Sequence, residues 1–95
     1  MKGKADLKVS GGKLLRAEVE IEAGTVLAAS VDGDFFAHPE EEFEAAESEL
    51  SGLPADSLGD AALALFSRPG LTIYGASPID IAKALKEAAR AAQAR

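Results

Sequence analysis

From Lys13 to Glu22 apolar and polar residues alternate, Leu14 excepted. Leu15, Ala17, Val19 and Ile21 fall on one face, and Arg16, Glu18, Glu20 and Glu22 on the other. A period of two marks a half-buried antiparallel strand. Gly24 supplies a turn, and a further strand is expected from about Thr25 to Asp32 with Leu27, Ala29 and Val31 inward. For those residues to share a face with Ile21, Ile21 must pair with Leu27, which implies a three-residue hairpin loop from Ala23 to Thr25. A two-residue loop would pair Ile21 with Val26 and carry Ser30 inward, because a one-residue slip turns every side chain over. Leu7 and Val9 suggest an earlier strand, joined through Gly11-Gly12.

Past Asp32 the period changes to that of helices. Pro39 suits the first position of a helix, where no amide donor is needed, and Glu40, Glu41 and Glu42 favour the positive end of the helix dipole. Phe43, Ala46 and Leu50 form one stripe, and Gly52 ends it. A second helix is expected from near Asp56 or Ser57, burying Leu58, Ala62, Leu65 and Phe66, with Arg68-Pro69-Gly70 as its stop. Leu71 to Tyr74 reads as an extended connector. Ser77-Pro78-Ile79-Asp80 is a capping box with Asp in the Glu role. It opens a last helix from about Pro78 to Ala92 with Ile81, Leu85, Ala88, Ala89 and Ala92 inward. Three strands followed by three helices predict an α+β fold, a three-stranded antiparallel meander with the helices packed on one face.

Ninety-five residues make one small domain, with little room for a deep, self-contained active site. Cysteine is absent, which excludes thiol nucleophiles, disulfides, Fe–S ligation and Cys-based zinc sites. The lone histidine, His38, leaves little for a metal site built on nitrogen. A net charge of −6 argues against a nucleic-acid or anionic-membrane surface. No apolar run approaches a membrane span, and no secretory pattern follows the opening Met1-Lys2-Gly3-Lys4, so a cytoplasmic protein is expected. The charge is uneven: Lys2, Lys4, Lys8, Lys13 and Arg16 crowd the first residues, and Glu40 to Glu49 carry no base.

Candidate chemistry is sparse. Gly11-Gly12-Lys13 could bring backbone amides and an ammonium to a phosphate, or could be a tight strand connection, since the spacing is not that of a phosphate loop. Asp32 and Asp34 flank Gly33. They could hold Mg²⁺, act with His38 as acid and base in a self-contained enzyme, or simply serve a turn. Phe35 and Phe36 are adjacent and so point oppositely in an extended chain. One is expected to anchor the next helix to the sheet and the other to face outward as a contact residue. These residues by themselves describe a small domain that works through a surface.

Gly11-Gly12-Lys13-Leu14-Leu15-Arg16, Glu18-Val19-Glu20, Gly24, Gly33-Asp34-Phe35-Phe36 and Pro39-Glu40-Glu41 together resemble the accessory (C-terminal) domain of lipoate–protein ligase A. The likeness is to its free-standing form, the small subunit of archaeal-type two-chain ligases. Gly75-Ala76-Ser77-Pro78-Ile79-Asp80 and the residues through Leu85 resemble the same form, so the likeness runs from Leu7 to Arg90. It implies a fold similar to SufE/NifU-type proteins, without the cluster chemistry that cysteine would provide. It also implies a non-catalytic partner to a larger ligase chain. That chain uses ATP and Mg²⁺ to convert lipoate to lipoyl-AMP and passes the lipoyl group to a lysine of a lipoyl domain or of the glycine-cleavage carrier protein. In such ligases the accessory domain is needed for the first step. On this resemblance Gly11, Gly12, Lys13, Arg16, Gly33, Asp34, Phe35 and Phe36 are expected to form the docking edge, with Lys13 and Arg16 toward the partner or its nucleotide. The alternatives are an interaction or regulatory domain of the same fold unconnected with lipoylation, and a homodimer paired through a sheet edge.

Overall fold

The computed structural model describes residues 1–94. Strand β1 (Lys2–Val9) leads through a tight turn at Ser10–Gly12 into β2 (Lys13–Glu22), which returns as β3 (Thr25–Gly33). The three form one antiparallel sheet in the order β1-β2-β3. A short strand β4 (Phe36–His38) precedes helix α1 (Glu40–Ser48). Helix α2 (Leu58–Phe66), strand β5 (Thr72–Tyr74) and helix α3 (Pro78–Gln93) follow. The architecture is α+β, as the change of period predicts.

The alternation of β2 is realised as expected: Leu15, Ala17, Val19 and Ile21 are all buried. Helix α3 lies across β1 and β2 and completes the core with Ile81, Leu85, Ala88, Ala89 and Ala92. Full burial of Ile81 and Leu85 contributes roughly 1.5–3 kcal/mol each. The capping box is formed. Ser77 Oγ accepts from the Asp80 N–H at 3.2 Å, and the Asp80 carboxylate accepts from the Ser77 N–H at 3.1 Å. Close contact between strand and helix depends on Gly3, because a Cβ there would run into the backbone of Ala88 and Ala92. Helix α2 packs on α3, while α1 packs on β3 and β4. Phe43 of α1 stacks at 5.0 Å, centroid to centroid, on Phe66 of α2.

Four expectations are corrected. The β2–β3 loop is two residues, Ala23 and Gly24, both at positive φ (51° and 79°), the geometry of the tight turns that follow strand twist. Ile21 therefore pairs with Val26, not Leu27. Ser30 nevertheless stays outside, because a bulge intervenes: Glu20 pairs with Ala28, and Leu27 is the extra residue. The bulge undoes the one-residue slip, so Val26 is buried, Leu27 is exposed, and Val31 returns to the core.

The segment from Leu71 is more than a connector. Thr72–Tyr74 pairs antiparallel with Phe36–His38 as a two-stranded ribbon. Pro39 stands just before α1 in an extended conformation, so the helix begins at Glu40. Leu65 is only half-buried, because α2 carries apolar residues on more sides than the core covers.

Candidate functional site

The expected docking residues lie on two segments, and the hairpin register brings these together. Leu15 pairs with Gly33, so the chain leaving β3 runs beside the chain entering β2. Gly33 adopts φ 142°, a conformation side-chain-bearing residues rarely take, and a Cβ on it would collide with the Leu14 carbonyl oxygen. That close passage lets Asp34 grip Leu14 twice. The Asp34 N–H donates to the Leu14 carbonyl at 2.8 Å, and the Asp34 carboxylate accepts from the Leu14 N–H at 3.0 Å. On the other segment Gly11 and Gly12, at φ 83° and 76°, reverse the chain and deliver an exposed Lys13.

Beyond Asp34 the two phenylalanines part as adjacent extended residues must. Phe35 turns inward onto Phe43 of α1, with ring centroids 5.4 Å apart. Phe36 turns outward and is 79% exposed. An open depression of about 430 Å³ lies at this junction, lined by Gly12, Lys13, Gly33, Asp34, Phe35 and Phe36. Six of the eight residues singled out from the sequence meet there. Gly11 and Arg16 are not part of its lining. Arg16 projects from the solvent face of β2, opposite Asp6 on β1 and Asp32 on β3. Two carboxylate-bearing neighbours leave little net positive field at Arg16, so the positive charge at the depression is that of Lys13.

A second hollow of about 290 Å³ lies on the other side of Phe36, lined by Phe35, Phe36, Ala37, Phe43 and three glutamates, Glu40, Glu44 and Glu47. Glu47 is half-buried, and its carboxylate accepts from the Val31 N–H at 2.8 Å. Burial pushes its pKa above the ordinary 4.5. The Val31 hydrogen bond opposes that rise, and the charges of Glu44 and Asp32 add to it.

Tyr74 is a surface residue that the sequence reading passes over. It pairs directly with Phe36 across the β4–β5 ribbon and is 58% exposed. The available signal was weak: Thr72, Ile73 and Tyr74 are all strand-favouring residues, but three are too few to show a period.

The hollow that holds Asp34 is lined by neither Asp32 nor His38, so the three do not converge there on a substrate. Among the described residues no group of three or more histidine, aspartate or glutamate side chains is arranged to hold a metal ion. One oxygen of the single carboxylate at the depression accepts from the Leu14 N–H. Asp34 and Lys13 thus offer one carboxylate and one ammonium at the depression, fewer oxygen donors than the six Mg²⁺ takes. Among the described residues no helix is long and apolar enough to cross a membrane.

No protein-family model matches this sequence, and no curated protein matches it. A solved structure does. It is a chain of an archaeal lipoylation system from Thermoplasma acidophilum, described as a bi-partite lipoate protein ligase and its E2 lipoyl domain. The likeness has a TM-score of 0.75 at 23% sequence identity and covers 88% of this chain and 93% of that one. What the two chains share is a fold. The match extends over most of both chains.

Proposed function

We propose that this chain is the non-catalytic accessory subunit of a two-chain lipoate–protein ligase, required for activation of lipoate by a separate catalytic chain. The observation that carries this reading is the likeness, over most of both chains, to a chain from an archaeal bi-partite lipoate ligase system. It is supported by the meeting of the Gly12–Lys13 and Gly33–Phe36 segments, which resemble the accessory domain, around one open depression. In the complex the catalytic chain would use ATP, Mg²⁺ and lipoate. The lipoate carboxylate attacks the α-phosphorus of ATP, pyrophosphate leaves, and the mixed anhydride awaits a lipoyl-domain lysine. That anhydride is open to hydrolysis, so a subunit that closes over the site adds protection by excluding water. Docking that is favoured in the activating state adds binding energy to that state alone. Lys13, exposed at the rim, would face the partner or the phosphates.

The test is lipoate-dependent pyrophosphate exchange by a purified catalytic chain, with and without this protein. Stimulation is expected; equal rates in both mixtures would refute the reading. The Lys13→Ala protein should stimulate less, and full stimulation by it would reduce Lys13 to a turn residue.

A further inference from the structure

The β4–β5 ribbon carries an aromatic pair that the fold does not use. Phe36 and Tyr74 stand directly opposite each other in register, 79% and 58% exposed. The inward side of the same ribbon, Ala37 and Ile73, is packed against the core, so the ribbon is anchored and its outward rings are displayed on a fixed support. Directly paired aromatic residues left in water are costly as surface and valuable as interface anchors, since rings bring large contact area with few rotatable bonds.

The charges beside the pair say what covers it. Arg68 pairs with both Glu42 and Glu49, with nitrogen–oxygen distances of 3.4 and 2.7 Å. Glu47 is committed to the Val31 N–H. Glu40 and Glu44, which line the hollow next to Phe36, have no ion-pair partner among the described residues, and α1 contains no base. The chain thus supplies a cation for two glutamates of this region and leaves the two beside the aromatic pair without one.

We infer that Phe36 and Tyr74 are the anchor of a protein–protein interface whose partner offers an apolar pocket for the two rings and a basic rim for Glu40 and Glu44. A second copy paired through this same face fits poorly, because it would bring the same carboxylates toward each other. On the accessory-subunit reading, on which this inference rests for the partner's identity, the occupant is the catalytic ligase chain. Lys13, on the far side of Phe36, then lies at the edge of the contact rather than at its centre.

The experiment measures association and dissociation of the full chain on a purified catalytic lipoate ligase chain. Phe36→Ala and Tyr74→Ala should each weaken Kd at least about tenfold, mainly through faster dissociation. Glu40→Gln with Glu44→Gln should slow association at low ionic strength and flatten its salt dependence. Leu63→Ala, an exposed apolar residue on α2, should leave Kd unchanged. Thermal unfolding checks that each variant is folded, and Phe36→Leu gives an independent route to the same loss of ring area. If the unmodified chain binds and the aromatic variants bind equally well, the inference fails while the accessory reading stands. If association ignores both the glutamates and salt, the basic rim is wrong. If the unmodified chain does not bind at all, the accessory reading fails and the interface inference falls with it.

Discussion

Asp34 holds the Leu14 peptide from both sides, donating to its carbonyl through the main chain and accepting from its N–H through the carboxylate. The clamp joins the ends of β2 and β3 where the sheet opens toward β4. It therefore sets where Phe35 and Phe36 leave the sheet.

Asp34→Ala keeps the main-chain bond and removes the side-chain acceptor. The expected cost is about 1 kcal/mol, the net value of one exposed to half-exposed hydrogen bond. Urea unfolding reads the loss, and faster amide exchange at Leu14 locates it. Asp34→Asn retains an oxygen acceptor and should recover most of the stability. Equal stability of all three proteins would mean that the carboxylate contributes nothing to the junction.

The bulge at Leu27 makes a prediction opposite to simple alternation. Val26→Ala empties a fully buried site and should cost about 2 kcal/mol. Leu27→Ala acts on a side chain already 47% exposed and should cost under about 1 kcal/mol. Denaturant midpoints of the two variants decide between the registers. A greater loss at Leu27 would restore the three-residue loop.

Glu47 gives the chain a specific dependence on pH. Burial raises its pKa above 4.5, so the folded state holds this proton more tightly than the unfolded chain does. Its contribution is complete below about 4.5 and is lost as pH rises through the higher folded-state value. Measured against Glu47→Gln, in which the other carboxylates cancel, the unmodified protein should lose relative stability as pH climbs through that window. A relative gain over the same window would show that the Val31 hydrogen bond outweighs burial.

Legibility in the sequence followed the length of each pattern. Alternation from Leu15 to Glu22 makes β2 plain, and Ser77 with Asp80 marks the start of α3 because the cap is a local contact between near neighbours. Alternation alone puts the hairpin one residue off, because it assumes a regular ladder. The bulge that absorbs the slip depends on how Val26 and Leu53 share the edge of β3, where the Val26 N–H donates to the Leu53 carbonyl at 2.8 Å. The β4–β5 ribbon leaves no pattern in the sequence, because Phe36 and Tyr74 are far apart in the chain and each strand is three residues long. In the candidate site, the opposite directions of Phe35 and Phe36 followed from backbone geometry alone. Missing from the sequence were the exclusion of Arg16 from the depression, which depends on its neighbours across the strands, and the presence of Tyr74.

The contact of Gly3 with Ala88 and Ala92 joins the start of β1 to the last turns of α3. Closing so long a span has an entropic cost that is offset only when the segments between are already in place. The opening strand and the final helix therefore act as a clasp: neither seats without the other, and the domain should come apart as one cooperative body rather than shed its outer pieces in turn.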